Sequence, residues 1–112
     1  MRIAFFGHPY HRTTGSSRFL LEELQALGTV EEHWVGQADG YVPIPVARFD
    51  ALVVWQVEWL ALQLATSGHP SVTFFPMYDS CHAYPDSYWR RLSGVKVVCF
   101  PGRAAGAAIR AA

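Results

Sequence analysis

Apolar side chains in this chain come in short runs, separated by polar stretches rich in glycine and proline. Five runs stand out, at residues 3–6, 32–35, 51–55, 72–75 and 95–100. Most of them do not alternate with polar residues, and valine and aromatic side chains dominate. Runs of this kind read as strands covered on both faces, as in a parallel sheet. Between the runs the spacing becomes helical. Residues 17–27 place Leu20, Leu21, Leu24 and Leu27 on one face, with Ser16 as the N-cap and Gly28 as the stop. Residues 57–66 (VEWLALQLAT) are apolar nearly all round, which predicts a helix that is buried or meets a partner. Residues 85–92 open with Pro85 at a first helical position. The alanine-rich tail, residues 103–112, reads as a last helix with few large anchors. Residues 36–50 hold two glycines and two prolines and show no helical period, so they are expected to form a crossover loop where a helix would otherwise stand.

This order predicts an α/β fold: a Rossmann-like, doubly wound sheet of about five parallel strands with helices on both faces. The whole chain, residues 1–112, reads as one such domain, without internal repeat or linker. In open sheets of this kind ligands bind outside the carboxyl ends of the strands. The segments to inspect are therefore residues 7–17, 56–58, 76–84 and 101–103.

Composition narrows the picture. Hydrophobic residues make up 51% of the chain and charged ones 16%, which excludes a disordered segment. Formal net charge is zero, so no basic face is advertised and nucleic acid is not expected as a partner. No apolar run approaches the ~18 residues that a membrane span needs. No leader peptide is visible, and a cytoplasmic location is expected. Cys81 and Cys99 form no C-x-x-C pair and read as reduced thiols. The apolar helix at residues 57–66, with Trp34, Tyr41, Trp55 and Trp59, promises more apolar surface than a short sheet can cover, and on that ground a homodimer is expected.

Two segments carry candidate chemistry. The first follows the first strand and leads into the helix at residues 17–27: Thr14, Gly15, Ser16 and Ser17, with Arg18 next in line. Free backbone N–H groups at a helix start suit an anion, and Arg18 would add a charge-assisted contact. The segment is neither a P-loop nor G-x-G-x-x-G. In the plainer alternative the hydroxyl residues only cap the helix, and Arg18 pairs with Glu22 four positions on. The second segment, residues 75–82, brings Asp79 and His82 to the end of the fourth strand. Asp79 suits a general base or an acceptor hydroxyl, and His82 suits either role or a phosphate. Their plainer roles are a turn cap and a loop residue. His8, His11, Asp79 and His82 could converge on a metal, but their spacing matches no zinc signature, and neither metal nor cofactor is expected. Trp55, Gln56 and Trp59 follow the third strand, where stacking on a ligand competes with core packing.

These residues resemble a known family. The opening Arg2-Ile-Ala-Phe-Phe-Gly7, then a long loop ending Thr14-Gly-Ser-Ser-Arg18, looks like the start of a GT-B glycosyltransferase. Residues 49–56 (FDALVVWQ) and 72–79 (VTFFPMYD) are similar to the third and fourth strands of bacterial members. The resemblance implies the N-terminal, acceptor-side half of a two-domain enzyme that moves a sugar from a nucleotide-sugar donor to an acceptor. It implies Gly15, Ser16 and Arg18 at the loop that approaches the donor, and Asp79 and His82 on the acceptor wall; with these, Asp79 and His82 are expected as the catalytic residues, and His11, Thr14, Gly15, Ser16, Arg18 and Tyr78 as substrate contacts. It also implies that this chain alone transfers no sugar, because the family's C-terminal donor-binding domain and its acidic ribose ligand have no counterpart here. Two rivals stand beside it. A flavodoxin-like carrier would hold FMN at residues 13–17 with Trp55 or Tyr78 on the flavin. A non-catalytic α/β module would only bind. A response-regulator receiver is disfavoured, since Gly7-His8 and Trp55-Gln56 stand where its acidic residues belong.

Overall fold

The computed structural model describes residues 1–15, 17–36, 45–76 and 84–98, apart from the side chain of His11. Strands β1 (Arg2–Gly7), β2 (Thr29–Trp34), β3 (Ala51–Trp55), β4 (Val72–Phe75) and β5 (Lys96–Val97) form one sheet in the order β2-β1-β3-β4-β5. Every pairing is parallel. The helices are α1 (Pro9–Thr14), α2 (Arg18–Leu27), α3 (Glu58–Ala65) and α4 (Asp86–Arg90), and a 3-10 turn spans Val46–Arg48. The architecture is the Rossmann-like doubly wound class that the run-and-helix pattern predicts.

Period-two alternation divides the core between two faces. Ile3 and Phe5 of β1 join Leu20 and Leu24 of α2, with Val53 and Phe75. Ala4 and Phe6 point the other way, onto Leu60, Ala61 and Leu64 of α3, with Leu52 and Phe74. The central strands are therefore buried on both sides, and their sequences need no polar alternation.

The outer strands depart from that expectation. β2 begins three residues before its apolar run, and Thr29, Glu31 and Glu32 are exposed because β2 lies at the sheet's edge. Both residues of β5 are exposed at the opposite edge. Helix α1 stands where only a loop was expected. Pro9 presets its first turn, and His8 Nδ1 accepts the Tyr10 N–H at 3.1 Å, doing the work of a cap. Helix α2 starts at Arg18, so the residue before it is Ser17, not Ser16. Leu27 lies in the last turn of α2 and is 65% exposed, outside the buried stripe. Pro85 likewise precedes α4 and is not its first residue.

Helix α3 buries much of its apolar surface. Leu60, Ala61 and Leu64 are inside, and Trp59 and Leu62 pack half-buried against the same cluster. Trp55 is 6% exposed and Trp34 is half-buried, so the aromatic surface from which a homodimer was expected lies mostly in the core. Tyr41, most of the 36–50 crossover, both cysteines and the tail at residues 103–112 lie outside the described residues. No described helix is long and apolar enough to cross a membrane.

The two rims of the sheet are built differently. At the amino rim, Asp50 Oδ2 accepts the Arg2 N–H at 2.7 Å and the Asp50 N–H returns to the Arg2 carbonyl at 2.8 Å. His69 links two segments there: its Nδ1 accepts the Ser71 N–H at 3.0 Å, so its Nε2–H donates to the Phe49 carbonyl at 2.7 Å. Thr29 N–H closes on the Met1 carbonyl at 2.9 Å. The carboxyl rim carries the crossovers and the groove described next.

Candidate functional site

The site begins with Gly7, the last residue of β1. The ring of Trp34 lies across it so closely that a Cβ at position 7 would come within 2.8 Å of the indole. The chain then forms α1, and Gly15 turns it into α2 with φ at +69°, a conformation that glycine adopts without steric cost. The Arg18 N–H closes this turn on the Gly15 carbonyl at 3.1 Å. Between them sits Ser17, 1% exposed. Its hydroxyl does not cap α2 and has no hydrogen-bond partner among the described residues. The first turn of α2 holds no acidic side chain, so nothing negative from the helix itself meets its positive end.

A groove of about 480 Å³ opens here, between α2 and the edge strand β2. Its α2 wall is a single helical stripe: Arg18, Leu21, Glu22 and Gln25, at spacings of three, four and seven. Arg12 of α1 and the Gly15–Ser17 turn close the top. Glu32 and Trp34, two apart on β2 and therefore on one face of the sheet, form the opposite wall. The Trp34 indole packs edge-on against Phe5 at 5.5 Å and donates its Nε1–H to Glu32 Oε1 at 3.2 Å. That bond fixes the ring and holds one carboxylate oxygen, leaving the other oriented for a second donor.

The electrostatics of the groove are graded along its length. Arg18 and Trp34 stand at the carboxyl rim. Glu22 lies about one turn, ~5.4 Å, further down α2, and Glu32 about two residues, ~6.6 Å, down β2. Among the described residues neither Arg12 nor Arg18 is in an ion pair, so the pairing of Arg18 with Glu22 does not form. Two guanidinium groups thus line one cavity with no carboxylate among the described residues within 4.0 Å of either.

A second feature of the rim lies at the other side of β1, where the chain order reverses between β1 and β3. Gln56 directly follows β3 with φ at +63°, the one left-handed residue besides glycine among those described. Its N–H is held by the Phe75 carbonyl at 2.8 Å. A side chain in this region costs roughly 1–2 kcal/mol, and such costs gather where a ligand is received.

Of the residues singled out in the sequence, Gly15 and Arg18 line the groove. Thr14 closes α1 and is exposed, and it lines no described cavity. The backbone of His11 is in α1. Ser16, Tyr78, Asp79 and His82 lie outside the described residues, so the catalytic pair and its distance from the groove are not placed. No cluster of three metal-ligating side chains occurs among the described residues. Sequence reasoning missed Arg12, Glu22, Gln25, Glu32 and Trp34. The helical spacing of 18, 22 and 25 and the two-residue spacing of 32 and 34 were the signals that could have joined them to the crossover. Comparison with models of known families, with curated proteins and with solved structures finds no match.

Proposed function

We propose that this chain is the N-terminal, acceptor-side domain of a GT-B type glycosyltransferase, whose first crossover receives the phosphate-bearing end of a ligand. The observation that carries this reading is the groove at the start of α2, where Arg12, Arg18 and the Ser17 hydroxyl face one cavity without protein partners among the described residues. The positive end of the helix dipole contributes up to about 2 kcal/mol toward an anion there. A charge-assisted bond from Arg18 adds about 1.5–3 kcal/mol. After ordering costs, a bare anion should bind at roughly millimolar concentration. In this reading Asp79 and His82 serve as the acid–base pair on the acceptor wall, with His11, Thr14 and Tyr78 as further contacts. A domain that supplies one wall of a cleft loses the effective molarity of the other wall, so the purified chain is expected to transfer no sugar.

One observation favours a second reading. The strand order 2-1-3-4-5 is that of flavodoxin-like folds, which bind FMN at the β1/β3 switch point. Removing the outermost strand from the order 3-2-1-4-5-6 leaves the same neighbours, so the order suits both readings.

Titration of the purified chain with UDP-glucose and with FMN, followed by amide NMR, separates them. The glycosyltransferase reading expects UDP-glucose to shift Gly15, Ser17 and Arg18, and Arg18→Ala to weaken the effect. Retained yellow colour, with shifts at Gly7, His8 and Gln56, would select the flavin. No shift with either ligand overturns both, and robust sugar transfer by the chain alone overturns the half-enzyme form of the first.

A further inference from the structure

The groove continues well below the anion end, and its chemistry changes on the way. At the rim are Arg12, Arg18 and the Ser17 hydroxyl, which is 1% exposed and has no hydrogen-bond partner among the described residues. About one helical turn lower stand Glu22 and Glu32, with Gln25 beyond them. A simple anion site has no use for two carboxylates beside it, because they oppose the charge it must attract. They do suit a ligand that carries hydroxyl groups next to its anion. Two neighbouring carboxylates offer one acceptor to each of two O–H donors, which suits adjacent hydroxyls. The remaining wall is the indole of Trp34, held by Glu32, and a fixed aromatic face packs well against the C–H face of a sugar ring.

We propose that this groove binds a phosphate monoester whose sugar ring carries a vicinal diol. Phosphate sits at Arg12, Arg18 and Ser17; the diol hydroxyls donate to the carboxylates of Glu32 and Glu22; and the ring lies against Trp34. The cavity volume, about 480 Å³, is ample for one such molecule. This inference rests on the reading of the crossover as an anion-receiving end, and adds to it the class of molecule that carries the anion. A sugar phosphate and a nucleoside monophosphate share this chemistry.

The test uses the intact chain and five probes: inorganic phosphate, glucose, glucose 6-phosphate, UMP and dUMP, each titrated by calorimetry and amide NMR. Glucose 6-phosphate or UMP should bind at least about tenfold more tightly than inorganic phosphate, since two further hydrogen bonds form. The tighter of the two names the source of the phosphate. If UMP is the ligand, dUMP, which lacks the diol, should fall back toward phosphate itself. Glu32→Gln keeps an acceptor for the Trp34 indole and sits on an exposed strand edge. It should cut the sugar's gain over inorganic phosphate to about twofold, with phosphate itself bound no more weakly because an opposing charge is gone. Arg18→Ala should weaken every phosphate-bearing probe. Phosphate binding at residues 15–18 with no gain from any sugar would overturn this inference and leave the anion reading standing. Absence of phosphate binding would overturn both.

Discussion

Single residues in this fold carry costs and constraints that the sequence does not display. Tyr88 looks like one more aromatic of α4, yet its hydroxyl donates to the Glu58 carbonyl at 3.0 Å and ties α4 to the start of α3. Burial, then the neighbouring Tyr84 and Glu58, push its pKa above the ordinary tyrosine value near 10.0. The folded state therefore holds this proton more tightly than the unfolded chain does. Its contribution to stability is complete below about pH 10 and is lost as pH rises above that value. Urea denaturation between pH 8 and pH 11 should show this decline. In Tyr88→Phe the decline should be shallower, and stability at pH 8 lower by about 0.5–1.5 kcal/mol for the missing bond. Gln56 makes the opposite case. Its φ of +63° is a cost that glycine would remove. Gln56→Gly should be neutral or stabilising by up to about 1 kcal/mol, once glycine's larger unfolded-state freedom is subtracted. A clear loss of stability would mean that its amide side chain holds the rim together. Of the site itself, the sequence shows Gly15 and Arg18 plainly. It hides Glu32 and Trp34, because a tryptophan two residues after a glutamate becomes a groove wall only when β2 is known to be an edge.

At the level of elements, the strands buried on both faces were the legible ones. The runs at residues 51–55 and 72–75 are β3 and β4 as the structure has them, since continuous apolar runs of four or five residues are too short for a buried helix. The outer strands were legible only in part. β2 lacks an apolar run over its first half because that half faces water. Helix α1 was not legible at all, being short, polar and stabilised by a His8 side chain that no capping rule anticipates. Helix α3 was recognised, but its destination was left open between core and interface, and packing decides it. Leu60 is fully buried beneath the sheet, so Leu60→Ala should cost about 2–5 kcal/mol, a large share of the 5–15 kcal/mol typical of a domain. Urea midpoints read this directly. A loss below 1 kcal/mol would show that α3 packs less tightly than its burial indicates.

Among the described residues the sheet ends in two edge strands, and each carries charge. Glu31 and Glu32 lie along β2, and Lys96 opens β5. Charged side chains on an edge disfavour pairing with a second copy, which matters more now that the apolar side chains of α3 are seen to be inside. Glu31→Val combined with Lys96→Val should raise the apparent mass in gel filtration at ~100 μM while the parent chain elutes earlier only if some other surface associates. An unchanged profile in the double variant would remove edge pairing as the hazard those charges control. The asymmetry between the rims has a consequence of its own. Asp50 and His69 side chains and the Met1 carbonyl stitch one rim, whereas the other is joined by backbone bonds from Val35 to Gly7 and from Gln56 to Phe75. Opening fluctuations follow the thinner network of bonds. Amides of Thr29, Asp50 and Ser71 should be among the slowest to take up deuterium, and those around Gly15 among the fastest. A ligand could then reorder one rim while the stitching at the other kept the strands in register, so that recognition and integrity would be carried by opposite ends of the same five strands.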